Sequence, residues 1–411
     1  PSLIVCPASL VLNWAEECQK FTPELSCVVV DGDAAHRAEL AESWPAADLV
    51  VTSYDLLRRD ETLYEGQEFY ACILDEAQAI KNHTTQKYKA VCKVRSRVRF
   101  ALTGTPVENR LGELWSIFSF LMPGYLPPYK SFCSRFEKPI VQEEDQTAVR
   151  RLNQLTGPFI LRRMKSDVLK ELPPKTENVY RIELEEEQRK LYLAAVVDAR
   201  EKLQAAKPED KMAVFAVLMR LREICCDPRL IADNWEGGSA KLDACAELVS
   251  SAVEGGHRIL LFSQFTSMLE LLAKRLDAEG ISHFTLQGST PKPVRAELVR
   301  RFNGGEVSVF LISLRAGGTG LNLTAADIVI HYDPWWNVAA QNQATDRAYR
   351  IGQQNPVQVY KLIAQDTIEE KIVELQQAKQ SLADTVTGTA DGAILSMRPD
   401  ELLQLLEGSE P

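Results

Sequence analysis

The stretch Cys72-Ile-Leu-Asp75-Glu76-Ala77-Gln78 decides the fold. Three apolar residues run into two carboxylates without polar alternation. A short continuous apolar run suits a strand covered on both faces, and such strands belong to parallel sheets. The carboxylates then fall at the strand's C-terminal edge, where open α/β sheets bind ligands. Working outward, Ser2–Cys6, Cys27–Val30, Leu49–Thr52 and Val98–Leu102 read as further buried strands. Leu10–Lys20, Ala34–Ala41 and Thr84–Val94 read as helices between them. This is the βαβ rhythm of a parallel sheet.

From about 111 to 235 the strand-like runs nearly vanish and long helical patterns take over, among them Glu185–Leu203 and Lys211–Ile224, interrupted by the turn Leu172-Pro-Pro-Lys175. From about 240 the alternation returns. Ile259–Phe262, Ser282–Leu286, Val307–Ile312, Ile328–Tyr332 and Val357–Ile363 read as strands, and Ser267–Glu279, Pro293–Phe302 and Val338–Arg350 as helices. A helix follows Asp366 to about Leu382, then a Thr/Gly/Ala/Asp-rich linker and a short acidic helix, Pro399–Leu406. The expected class is α/β: two parallel-sheet lobes (1–110 and 239–382), a helical insertion and linker (111–238), and a C-terminal tail (383–411).

Composition agrees. The 411 residues are 45% hydrophobic and 25% charged, which excludes disordered, collagen-like and disulfide-scaffold classes. At roughly 150 residues per domain the length suits two or three domains. No apolar run approaches the ~18 residues of a membrane helix. The chain opens on Pro-Ser-Leu-Ile-Val, with no initiator Met and no charged segment ahead of an apolar one, so we expect a fragment that begins inside a fold. None of the nine cysteines forms a CxxC pair, and there are only five histidines. A zinc site and a disulfide framework are therefore disfavoured, and buried thiols in a reducing cytoplasm are expected. The net charge of −10 argues against a simple basic nucleic-acid-binding domain. It leaves room for a groove lined locally by Lys87–Arg99, with six bases and no acid, and by Arg162-Arg163-Met-Lys165. Either basic stretch is equally readable as a solvated face.

Four motifs carry chemistry. Asp75 suits magnesium, which takes oxygen ligands and needs one carboxylate beside phosphates. Glu76 suits orienting or deprotonating an attacking water. The plain alternative for the pair is a helix N-cap with a first-turn acid. At the next strand's end, Thr103-Gly104-Thr-Pro106 combines small hydroxyls with a glycine that lets backbone approach a ligand, and is otherwise an ordinary turn. Ser313-Leu-Arg315-Ala-Gly317-Gly318-Thr-Gly320-Leu-Asn322 follows a strand, and its backbone suits phosphate or ribose. In Gln343-Ala-Thr-Asp-Arg347-Ala-Tyr-Arg350-Ile-Gly-Gln353, the positions of Gln343, Arg347 and Arg350 share one face of a continuous helix. Two guanidiniums there suit a triphosphate, one of them as an arginine finger. The alternative is a solvent-facing helix with pairs such as Asp346–Arg350.

With these motifs in order, the chain resembles the Swi/Snf-type DNA-dependent ATPases of the superfamily-two helicases, from Leu3 to about Leu382. Ile4–Trp14 is similar to motif Ia, Val51–Tyr54 to Ib, Asp75–Asn82 (DEAQAIKN) to II and Leu102–Trp115 to III. Phe262–Phe265 is similar to motif IV, Ser313–Thr324 to V and Gln343–Gln353 to VI, with the family signature at Asp333-Pro-Trp-Trp-Asn337. Leu161–Val168 with Leu172–Lys175 resembles the inter-lobe linker. The resemblance implies two RecA-like lobes with ATP between them, Asp75 on Mg²⁺, Glu76 activating water, and Arg347 and Arg350 completing the site. It implies nucleotide contacts from Gln78, Thr103, Gly104, Gly318, Gly320 and Gln343. It implies double-stranded DNA as partner, gripped through Ser53, Tyr54, Gln264, Arg315, Asn322 and Trp336, with ATP cycles ratcheting the protein along the duplex. Phosphate-directed contacts in a groove reconcile this with the acidic net charge.

Val338 stands where the family usually has Pro, and Tyr349 where His is common. No GxxxxGK[ST] phosphate loop occurs in the 411 residues, so the complete gene product is expected to hydrolyse ATP and these residues alone are not. The expected location is cytoplasmic, nucleoid-associated if bacterial, with no membrane contact. Two other readings remain. A non-hydrolytic nucleic-acid-binding scaffold is opposed by the intact Asp75-Glu76 and Arg347/Arg350 pairs. An RNA helicase is opposed by the helical insertion and the Asp-Pro-Trp-Trp-Asn run.

Overall fold

The computed structural model describes residues 1–104, 111–143, 145–161, 163, 169, 172–205, 207, 210–232, 234–314, 321–376 and 399–407. They fall into two compact units, one from Pro1 to Arg163 and one after it.

The first unit holds β1 (Ser2–Cys6), β2 (Cys27–Val29), β3 (Leu49–Ser53), β4 (Glu68–Asp75) and β5 (Arg95–Leu102), in the order β2-β3-β1-β4-β5. All four pairings are parallel. Alternate residues of β1 supply two cores. Leu3 and Val5 join Val50, Cys72 and Leu74 on one face, and Ile4 and Cys6 join Val51 on the other, under helix Val11–Phe21. The chain leaves β1 toward β2 on one side, and leaves β4 toward β5 on the other. A crevice therefore opens at the C-terminal ends of β1 and β4, and Asp75 is the last residue of β4. β5, expected as a buried strand, exposes Val98, Phe100 and Leu102 along one face, at the edge of the described sheet. Its Arg99 turns to the other side and donates to the carbonyls of Phe120 and Val94 at 2.7 and 2.9 Å.

The second unit holds β6 (Lys175–Ile182), β7 (Ile259–Ser263), β8 (His283–Leu286), β9 (Val309–Ser313), β10 (Ile328–His331) and β11 (Val357–Ala364), in the order β6-β11-β10-β7-β9-β8. These pairings too are all parallel. Every residue of β7, β9 and β10 is buried, as expected for central strands clad on both faces. Helices Glu186–Ala205 and Lys211–Cys226 form a further core, into which helix Pro399–Glu407 inserts Leu402 and Leu406. Among the described residues no helix is long and apolar enough to cross a membrane.

Two sequence expectations differ here. The largely strand-free span contains β6, which pairs with β11 over eight residues. Its sequence, KTENVYRI, has the charges and mixed polarity of a sheet edge instead of a core run. The helical span also does not pack as one body: residues up to Arg163 belong with the first unit, and β6 with the two long helices belongs to the second.

Candidate functional site

Asp75 is held at three points. Its carbonyl accepts a hydrogen bond from the Tyr54 hydroxyl at 2.9 Å. Its Oδ1 accepts from the Glu76 amide at 2.9 Å, and its Oδ2 from the Trp14 indole N–H at 2.8 Å. Tyr54 is buried and opens helix Tyr54–Arg59, whose N-cap Ser53 accepts from the Leu56 amide at 3.2 Å. Burial first, and the charge of Asp75 next, push the Tyr54 phenol far above its ordinary pKa, so it remains a donor.

At Glu76 the chain turns sharply. Its φ of 51° and ψ of 54° lie in the left-handed region, an unfavourable place for a residue with a Cβ. A 3₁₀ turn, Ala77–Ile80, follows and brings Gln78 back. Gln78 Nε2 donates to Glu76 Oε2 at 2.6 Å, and Gln78 Oε1 accepts from Thr103 Oγ1 at 2.7 Å. The ends of β4 and β5 are thereby joined through side chains, and Glu76 is oriented by the strand next to its own.

These groups open onto a cavity of about 450 Å³ within the first unit. Asp75, Glu76, Thr103 and Gly104 line one part. Leu114, Ile117, Phe118 and Leu121 of helix Leu111–Leu121, with Phe159–Leu161, line the apolar remainder. Among the described residues, a side chain at Gly104 would meet nothing within 4 Å. The oxygen-only donor set fits magnesium. Among the described residues no group of three or more His, Cys, Asp or Glu forms a metal cage, and a magnesium shared with phosphates needs none.

In the second unit, the expected single face of Gln343, Arg347 and Arg350 is not formed. Helix Val338–Thr345 carries half-buried Gln343 and ends before either arginine. The Arg347 and Ala348 amides donate to carbonyls three residues back, at 3.1 Å each, which breaks the 3.6-residue period. Thr345 contributes: its hydroxyl donates to the Gln341 carbonyl at 3.3 Å and meets His331 Nε2 at 2.8 Å. Arg347 is buried, with its carbonyl accepting from the Leu323 amide at 3.0 Å, and Arg350 is exposed.

Of the expected nucleic-acid contacts, Asn322 is exposed, and its carbonyl accepts from Asn303 Nδ2 at 2.8 Å. Ser53 and Tyr54 are turned inward as described. Gln264 Oε1 accepts from Arg222 Nη1 at 2.8 Å, and Trp336 is buried with its ring 4.3 Å from the Arg222 guanidinium. These four side chains make contacts within their own units, Ser53 and Tyr54 with backbone and Gln264 and Trp336 with the Arg222 side chain. Arg315, Gly318 and Gly320 lie outside the described residues, as do Arg162 and Lys165 of the second basic stretch. In the first stretch, Lys87 and Lys93 pair with Asp55 and Glu61.

Sequence reading passed over two residues. Trp14 appeared only within motif Ia. Arg222 lies fully buried, with Nη2 donating to Asp333 Oδ2 at 3.1 Å and to the Pro334 carbonyl at 2.5 Å. Asp333 Oδ1 accepts in turn from Ser263 Oγ at 2.7 Å. A signal existed: Leu218, Leu221, Arg222 and Cys225 share one helical stripe, and a lone arginine on an apolar stripe needs a buried partner.

Comparison with known proteins agrees with this architecture. Residues 1–230 match the SNF2-related domain, and residues 240–352 the helicase conserved C-terminal domain. The chain is 40% identical over 412 residues to an uncharacterized ATP-dependent helicase of Mycoplasma pneumoniae, covering 99% of this chain and 39% of that protein. It is 39% identical over 415 residues to the putative ATP-dependent helicase/translocase YwqA of Bacillus subtilis, covering 98% of this chain and 45% of that one. It thus spans about two fifths of the length of these relatives. Among solved structures it is similar to the Sulfolobus solfataricus SWI2/SNF2 ATPase core in complex with dsDNA, at 35% identity and a TM-score of 0.50, covering 99% of this chain and 86% of that one. With two parallel RecA-like sheets, the acidic pair at the end of β4 and both domain matches in chain order, the chain belongs to the SNF2-related family and forms a core of the SWI2/SNF2 ATPase type.

Proposed function

We propose that the complete gene product is an ATP-dependent translocase acting on double-stranded DNA, and that Asp75 and Glu76 are the acidic centre of its ATPase. The observation that carries this is the fixed pair at the end of β4: Asp75 bonded at its carbonyl and both carboxylate oxygens, and Glu76 tied through Gln78 to Thr103. In this reading Asp75 is the protein's oxygen on magnesium. The ion, when bound, neutralises phosphate charge. Glu76 orients the attacking water and takes its proton. Gln78 and Thr103 hold the Glu76 carboxylate in place. Arg347 and Arg350 are the proposed cations for charge developing on the transferring phosphoryl group, which such groups accelerate by about 10³-fold or more.

The DNA reading is supported by the likeness to a SWI2/SNF2 ATPase core solved with dsDNA. We also propose that the 411 residues, having no GxxxxGK[ST], do not turn over ATP by themselves. The test is ATP hydrolysis by the complete gene product with duplex DNA, single-stranded RNA or neither. Stimulation by duplex DNA, abolished in Glu76→Gln, is expected. Preferential stimulation by RNA overturns the substrate, and undiminished turnover in Glu76→Gln overturns the site.

A further inference from the structure

We propose that Trp14 is a positioning residue for Asp75, its indole N–H holding one carboxylate oxygen so that the carboxylate meets the metal of a bound nucleotide in a single orientation. This rests on the ATPase reading above and adds a residue to it.

The geometry comes from the fold. A helix that follows a strand in a parallel sheet runs back antiparallel to it, so its first turn lies over the strands' C-terminal ends. Helix Val11–Phe21 follows β1, and β1 pairs with β4 in the register Ile4↔Ile73 and Val5↔Leu74. Trp14, in the first turn, is thereby brought to Asp75, 61 residues away in sequence. Its ring packs against the cluster of Ile4, Cys6, Leu10, Val11 and Val51, which sets the direction of the N–H. The indole nitrogen is a donor without acceptor capacity, and at 2.8 Å from Oδ2 it makes a charge-assisted bond. The other two bonds to Asp75 act near the main chain: the Glu76 amide belongs to the adjoining residue, and Tyr54 holds the carbonyl. Among the described residues, the Trp14 bond is the one that brings a distant element to the carboxylate. Partners of this kind around a metal-binding carboxylate set the lone-pair direction and the metal affinity.

The test uses the complete gene product with β-(3-benzothienyl)alanine at position 14, which keeps the bicyclic ring and lacks the N–H, beside Trp14→Phe. Mn²⁺ affinity in the presence of a non-hydrolysable ATP analogue is read by electron paramagnetic resonance. We expect it to weaken about 10-fold, with analogue affinity in EDTA and the melting temperature unchanged in the benzothienyl variant. A second readout needs no nucleotide: the indole ¹H–¹⁵N resonance that is lost in Trp14→Phe is expected to move in Asp75→Asn and to stay in place in Glu76→Gln. Unchanged Mn²⁺ affinity in the benzothienyl variant, or an indole resonance indifferent to Asp75→Asn, overturns the role of Trp14 and leaves the ATPase reading standing. Failure of the unsubstituted protein to bind Mn²⁺ and the analogue overturns both.

Discussion

Thr103 Oγ1 donates to Gln78 Oε1 at 2.7 Å, a bond between residues 25 apart that couples the end of β5 to the turn after β4. Gln78 spends its amide on Glu76, so the hydroxyl of Thr103 sets which way Glu76 points. Thr103→Val keeps the shape and removes the donor. It is expected to lower kcat for ATP about 10- to 100-fold, the scale of a slightly misplaced catalytic group, with KM little changed. Thr103→Ser, which keeps the hydroxyl, is expected to restore most of the rate. Steady-state kinetics of the complete protein checks both.

The left-handed backbone at Glu76 makes its own prediction. Glycine adopts φ near 51° freely, whereas any residue with a Cβ is strained there by about 1 kcal/mol. Glu76→Gly is therefore expected to be more stable than Glu76→Ala by about 1 kcal/mol, although both lose the carboxylate and the activity. Equilibrium denaturation of the two variants measures the difference.

Arg222 stabilises the second unit by satisfying Asp333 in the interior, where both are fully buried. Among the described residues, Arg222→Met leaves that carboxylate with the Ser263 hydroxyl and the Gln264 backbone amide. A loss of about 3–5 kcal/mol is expected. Adding Asp333→Asn removes the orphaned charge and should recover part of the loss. A double-mutant cycle by chemical denaturation tests this.

His331 carries a pH dependence. Burial, aided by the positive charges of Lys361 and Lys175, lowers its pKa from the ordinary 6.5 to about 3. The unfolded chain then binds a proton below about 6.5 that the folded chain refuses. Its contribution to stability is complete above that pH and is lost as the pH falls toward 3, at up to about 1.4 kcal/mol per pH unit. Denaturation midpoints between pH 7 and 4 should show this slope, and His331→Gln should flatten it. With Thr345 donating to the Gln341 carbonyl, the network assigns the ring proton to Nε2, and Nδ1 is left as an acceptor with no donor among the described residues.

Much of the architecture was legible because central strands advertise themselves. Within them, residues 259–262, 309–312 and 328–330 are uninterrupted apolar runs, since both faces of each strand are covered. The edge strand β6 lacked that signal: a strand paired on one side keeps polar residues, and its assignment depends on β11 being beside it. The arginine face failed for a different reason. A 3.6-residue period presumes a continuous helix, and the hydrogen bonds of Thr345 to Gln341 and His331 accompany its end there.

The sequence by itself determined two parallel α/β sheets, the place of Asp75 and Glu76 at the end of a buried strand, and the family of the chain. Burial of apolar periodicity and the residues at strand ends are local properties. Tertiary structure alone decided that Trp14 meets Asp75, that Thr103 steers Glu76 through Gln78, and that Arg222 reaches Asp333 across 111 residues. Those pairings follow from strand order and register, which bring together side chains that no local pattern relates.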